Sequence, residues 1–288
     1  MVKKVFFLLF FLTISLFGDE LFLDDLNQTH EEDRLTQKIQ SFLSYDKFER
    51  NKKFIKIIFS PQSDFYKDDS VDVIKVVETL KENGLLRLFF KNPQELNLHF
   101  KTFGSPLFFV KLMRDSLRNI GYYRYVTTNS TFNGLEFIWS VSLTSEYATD
   151  PLVLQKELSK VGCKIIDIEQ ISPTEWSYEV DMIDAFLDAP LLELGQELKL
   201  KRSLYAHWLN VSHIKTLVIL SSRRNNWYPY ISYYDSSLKL LKVIKRDKRI
   251  KKITLHIPKF TKYIKISDIY TLKNLKDELT LYPKVQRF

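Results

Sequence analysis

Cysteine occurs once in the 288 residues, at Cys163. That excludes a disulfide framework and any multi-cysteine zinc site. Glycine (7) and proline (9) are scarce, which excludes collagen-like and low-complexity chains. After Phe17 no segment carries about 18 consecutive apolar residues, so no later helix is expected to span a bilayer. There is no G-x-S-x-G elbow, P-loop, G-x-G-x-x-G or H-E-x-x-H. The five histidines, His30, His99, His207, His213 and His256, never pair at i, i+3 or i+4, so no metal site is predicted. No catalytic residues, cofactor or metal are therefore expected. A glycan-processing enzyme would need paired carboxylates that spacing alone does not reveal. What is abundant is apolar and aromatic: 45% hydrophobic and 14% aromatic residues, enough for a sizeable core and favourable to strands.

The first eighteen residues read as a signal peptide. Lys3 and Lys4 precede the apolar run Val5 to Phe17, and Gly18 precedes the charged Asp19-Glu20. As a helix that run reaches about 20 Å, short of a roughly 30 Å hydrocarbon core. Export to the periplasm, with a mature chain starting near Asp19, is the expectation. Asn27-Gln28-Thr29 with Asp25 two residues before it is a candidate N-glycosylation acceptor at Asn27.

Charge divides the mature chain. Residues 19–200 hold 21 basic against 30 acidic side chains, and residues 201–288 hold 20 against 5. An asymmetry of this size predicts two domains with different partners. The expected division is a helical segment at 19–52, an acidic repeat region at 53–185, a linker at 186–200 and a basic β domain at 201–288.

The acidic region shows one plan three times: an amphipathic helix, a glycine, then two strands. The helices are Val71 to Asn83, Pro106 to Ile120 and Pro151 to Val161, stopped by Gly84, Gly121 and Gly162. A strand at Lys53 to Ser60 is expected before the first. The strand pair after the first helix is expected at Leu85 to Lys91 and Glu95 to Thr102, turning at Asn92-Pro93. The fold class expected is α+β, with tandem small β-α-β-β modules followed by an all-β, jelly-roll-like sandwich. Leu204 to Val211, Lys215 to Ser221, Tyr228 to Tyr234, Leu238 to Lys245, Lys251 to Ile257 and Tyr263 to Ile266 are its strands.

The element order and the three glycines resemble the β-α-β-β modules of bacterial envelope-assembly and ring-building proteins. Ile257 to Ile266 resembles the late strand pair of galactose-binding-like jelly rolls. With the signal peptide and the Asp25-Asn27 acceptor, the chain is similar to exported envelope proteins of campylobacter-like bacteria. The resemblance implies scaffolding and interaction rather than chemistry.

Within the basic domain, Lys242, Lys245, Arg246, Lys248 and Arg249 are the predicted contacts to an anionic partner. Trp227, Tyr228 and Tyr230 are a candidate glycan platform. The expected partners are envelope proteins and anionic glycans or lipid headgroups, with peripheral membrane contact and no nucleic acid. The expected role is a non-catalytic envelope scaffold or adaptor; the alternative is a carbohydrate-binding protein.

Overall fold

The computed structural model describes residues 34–284. The signal-peptide reading and Asn27 lie outside the described residues. The chain divides into two compact units. Among the described residues, one comprises 34–104 together with Met113–Asp184; the other comprises Ser105–Leu112 and 185–284.

The first unit is mixed α and β. Helix α1 covers residues 34–41 and α2 covers Tyr45–Ile58. A short ribbon, β1 (Tyr66–Lys67) and β2 (Ser70–Val71), leads into α3 (Val73–Glu82). Then follow β3 (Phe89–Thr102), α4 (Pro106–Asn119), β4 (Val126–Phe132), β5 (Phe137–Tyr147), α5 (Pro151–Ser159), β6 (Lys164–Ser172) and β7 (Glu175–Asp181). The five long strands form one sheet in the order β4-β5-β3-β7-β6, with only β3 and β7 parallel.

All three predicted helix stops are present. Leu85 N–H donates to Leu80 O (2.8 Å) and Gly84 N–H to Lys81 O (3.0 Å) at the end of α3. The same bond pair recurs at Gly121 and Gly162. At Gly84 the backbone has φ +69°, a left-handed residue that lets the chain turn back and satisfy the last carbonyls. At the other end Asp72 Oδ1 accepts from Lys75 N–H (3.1 Å), and Asp150 caps α5 through Leu152 N–H (3.1 Å).

One face of the sheet is aromatic. Phe100 pairs across the ladder with Trp139 and Tyr178, at ring separations of 5.9 and 5.6 Å, and Trp176 continues the row. All four rings are buried, with Leu96, Leu98 and Val141 around them. Strict alternation puts Glu95, Asn97, His99 and Lys101 on the opposite face.

Apart from the first turns of α4 and a 3-10 turn at Leu272–Asn274, the regular structure of the second unit is β. Strands β8 (Leu198–Leu200), β10 (Thr216–Ser221), β13 (Lys252–His256) and β15 (Leu279–Pro283) make one antiparallel sheet, ordered β13-β10-β15-β8. Strands β9 (His207–Asn210), β11 (Pro229–Tyr234), β12 (Leu240–Lys245) and β14 (Tyr263–Asp268) make the other, ordered β12-β11-β14-β9. One core joins them: Leu217, Ile219 and Leu281 from the first sheet meet Ile231, Tyr233, Ile264 and Ile266 from the second.

Four expectations are corrected. Lys53 to Ser60 is not a strand: most of it is the end of α2, where Phe48, Ile55 and Phe59 recur at helical spacing and are buried. The helical segment therefore runs past residue 52, and the first of the three repeats is not a β-α-β-β unit. Asn92-Pro93 is not a hairpin turn but lies inside β3. The register jumps there from Phe89 to Gln94, so Pro93 owes no ladder bond. Residues 186–200 are not a free linker. Leu187 and Leu192 are buried, Leu192 N–H donates to Asn210 O (2.9 Å), and β8 is a sheet strand. Leu272 to Leu281, expected as a short helix or an irregular closing segment, begins with a 3-10 turn but ends in a strand inside its sheet, between β10 and β8.

Candidate functional site

The sandwich gathers its charge at one end. The ladder pairs Leu220 with Lys252, Ser221 with Leu279 and Leu279 with Leu200, so β10 ends where β13 and β15 begin and β8 ends. In the other sheet Tyr230 pairs with Lys245, Pro229 with Asp268 and Ile266 with His207. The loops 201–206, 222–228, 246–251 and 269–278 therefore share one end. The first carries Lys201 and Arg202, and the second Arg223 and Arg224. The third carries Arg246, Lys248, Arg249 and Lys251, and the fourth Lys273 and Lys276. Only Asp247, Asp277 and Glu278 oppose them within those loops. At the opposite end Lys215, Lys239, Lys259, Lys262 and Lys284 stand against Glu193, Glu197 and Asp235, a smaller excess.

The basic end is held by a polar scaffold. The buried carboxylate of Asp268 accepts from Tyr228 N–H (2.8 Å), Tyr270 N–H (2.9 Å), Thr271 N–H (3.0 Å) and Asn274 Nδ2 (3.0 Å). Asn225, also buried, donates to Glu278 O (3.0 Å) and accepts from Asp277 N–H (2.7 Å). Lys251 Nζ caps the carbonyls of Ser222, Arg223 and Asn225 at 3.0, 2.9 and 2.7 Å. Ser222 Oγ donates to Asp277 (2.8 Å) and holds that carboxyl below its ordinary range; Glu278 N–H and Arg224 act in the same direction. Bonds of this kind fix the backbone of the loops.

Of the predicted contacts, Arg246, Lys248 and Arg249 sit on this end, all exposed; Arg249 donates to Asn226 Oδ1 (3.2 Å). Lys242 and Lys245 lie instead on edge strand β12, where Lys245 Nζ stands 5.1 Å from the Tyr230 ring. They keep the edge charged against unwanted pairing. Arg223, Arg224, Lys201, Arg202, Lys273 and Lys276 escaped the sequence reading because no run joins them. The signal was there in part: Arg223-Arg224 falls between two predicted strands, Lys215 to Ser221 and Tyr228 to Tyr234.

The predicted platform of Trp227, Tyr228 and Tyr230 does not assemble. Trp227 is 0% exposed and its Nε1–H donates to Ser267 O (2.9 Å), so it is core. Tyr230 projects from the sheet under Lys245. Tyr228 is half-buried and meets Tyr270 edge to face at 5.0 Å. The rings that do reach solvent at the basic end are Tyr205 (59% exposed) and Tyr270 (64%), with Leu204 (74%) beside the first.

In the first unit His99 bridges two partners. Its Nδ1 shares a 2.8 Å hydrogen bond with Ser140 Oγ and its Nε2 stands 3.1 Å from Glu175 Oε1. The composition matches a nucleophilic triad, but the setting does not. Ser140 is 2% exposed in a strand paired on both sides, so its hydroxyl faces no open cleft that a substrate could enter. The trio reads as a polar lattice across β5, β3 and β7. A cleft of about 250 Å³ opens beside Tyr122, Tyr147 and Asp150, but Asp150 is committed to its cap and to Lys81 Nζ (2.6 Å). Among the described residues no cluster of three or more His, Cys, Asp or Glu is placed to hold a metal. Among them, too, no helix is long and apolar enough to cross a membrane.

Cys163 is buried, and desolvation first, with Asp181 second, pushes its thiol up to about 12. It is expected not to react with a thiol-directed disulfide reagent at pH 8 until denaturant is added. Stoichiometric labelling of the folded chain within minutes would contradict this.

No family model, curated protein or solved structure matches this chain.

Proposed function

We propose that this chain is a non-catalytic adaptor of the bacterial cell envelope, exported by its N-terminal signal peptide. Its basic sandwich docks on an anionic envelope surface and its acidic unit engages envelope proteins. One observation carries the reading: basic side chains distant in sequence converge on four loops at one end of the sandwich, over a hydrogen-bonded scaffold. Such a concentrated field raises the encounter rate and affinity for polyanions. The eight strands support the jelly-roll reading, because the chain changes sheet at each step except β11 to β12. The run β3-α4-β4-β5 followed by α5-β6-β7 supports the repeated-module reading within a single sheet.

For the acidic unit, β4 is the contact. Among the described residues it pairs only with β5, all seven of its residues are exposed, and it carries no charge. An extended segment of a partner would add there as a further strand. The saccharide reading retains the Tyr228–Tyr270 pair as its support, set among arginines rather than on Trp227.

Fractionation tests the proposal. The mature chain, starting near Asp19, is expected in the periplasm or peripherally on a membrane, and the bound part should be released by high salt. Recovery from the cytoplasm with Met1 intact would contradict it.

A further inference from the structure

We propose that the surface met by the basic loop end is the headgroup layer of an anionic bilayer, with Leu204 and Tyr205 entering it. This inference rests on the anionic-surface reading and names the surface.

Three observations carry it. Leu204 and Tyr205 project at the tip of the 201–206 loop, 74% and 59% exposed. Ser203 Oγ accepts from Tyr205 N–H (3.0 Å), which shapes the tip. Second, Lys201 and Arg202 precede the pair with Ser203 between, and Arg223, Arg224, Lys273 and Lys276 stand on the loops sharing that end. Third, Tyr270 adds another exposed ring there, 64% in solvent.

An exposed leucine at the same loop end as two exposed tyrosines and a set of cations has a chemical logic. The apolar tip gains by leaving water for the acyl boundary, and tyrosine rings prefer the headgroup depth. Lysine and arginine gain from phosphates at the same depth, through the negative surface potential. A soluble saccharide would use the tyrosines and the cations but not the leucine.

The opposite end offers one rival. Phe260 is 87% exposed there, at φ +65°, between Lys259 and Lys262. Its lysines, however, share that end with Asp235, Glu193 and Glu197. The weaker field places the membrane at the other end.

The test uses the full mature chain. Co-sedimentation is measured with vesicles of equal parts phosphatidylglycerol and phosphatidylcholine, with pure phosphatidylcholine vesicles, and with soluble dextran sulfate as a polyanion without a bilayer. The expected result is binding to the mixed vesicles at low salt and none to the neutral ones. The double variant Leu204→Ser, Tyr205→Ser should lose about tenfold on the mixed vesicles and bind dextran sulfate unchanged. A melting curve matching the unmodified chain confirms that this exposed loop leaves the fold intact.

Dextran sulfate bound without the mixed vesicles would overturn the bilayer proposal and leave anionic docking standing, with a saccharide as the surface. Vesicle binding by the double variant equal to that of the unmodified chain would overturn the insertion of Leu204 and Tyr205. So would a larger loss from Phe260→Ser. Binding to neither polyanion would remove both the proposal and the docking reading beneath it.

Discussion

Replacing Arg223, Arg224, Arg246 and Lys248 with glutamine is expected to cut affinity for an anionic surface by thirtyfold to a thousandfold. Each basic residue close to such a surface contributes about 1 kcal/mol, so four contribute about 2–4 kcal/mol once incomplete contact is allowed for. All four side chains are exposed, and no described hydrogen bond that ties the loops together uses their charged ends. Exposed substitutions of this kind usually change stability by less than about 0.5 kcal/mol each. The melting temperature should stay level or rise slightly as self-repulsion in the basic unit falls. Lys251 is left out deliberately, because its ammonium caps three loop carbonyls. Binding measured at two salt concentrations alongside a thermal melt checks the prediction. Unchanged affinity with a collapsed melt would mean that the four residues serve the fold.

The second large effect is on stability. Trp227→Ala should cost about 3–5 kcal/mol, the range for truncating a buried tryptophan. The ring is fully buried among Ile231, Leu255 and Ile266, and its removal also strands the Ser267 carbonyl. Spread over a unit of roughly a hundred residues, that loss lowers the melting temperature by about 15 °C or more. Tyr270→Ala, at an exposed ring, should move it by only a degree or two. If Trp227→Ala melted normally but lost affinity for a soluble saccharide, the platform reading would return.

These two cases mark what was legible in the sequence. Local chemistry was readable where it acts over a few residues: Gly84, Gly121 and Gly162 end their helices, and Asp150 before Pro151 caps the third, whereas the first helix, expected from Val71, begins only after its cap at Asp72. What could not be read depends on distant pairing. Lys53 to Ser60 is apolar enough for a strand, and only the full span from Tyr45 shows helical spacing. Pro93 signals a turn unless the partner strand skips a register there. Trp227 follows Asn225-Asn226 and so reads as a loop aromatic, whereas the sandwich folds it inward onto Ser267. Leu191 to Leu200 carries turn residues, and its buried positions become apparent only beside Asn210. The candidate site shows the same limit. The run from Lys242 to Arg249 marked the charged region, but strand register divided it between an edge strand and a loop end. The same register brought in Arg223, Arg224, Lys273 and Lys276 from elsewhere.

The central claim is about position rather than net charge, so a charge-matched pair of variants tests it most directly. One carries glutamine at Arg223, Arg224, Arg246 and Lys248; the other carries it at Lys239, Lys259, Lys262 and Lys284, at the opposite end of the sandwich. Both lose four positive charges. Binding to dextran sulfate across a salt series should give a steep loss of affinity and a shallower salt dependence for the first variant. The second should follow the unmodified chain within about threefold, since distant exposed charges are screened beyond roughly 10 Å. Equal losses from the two variants would contradict the account, because docking would then follow total charge and not the loop end.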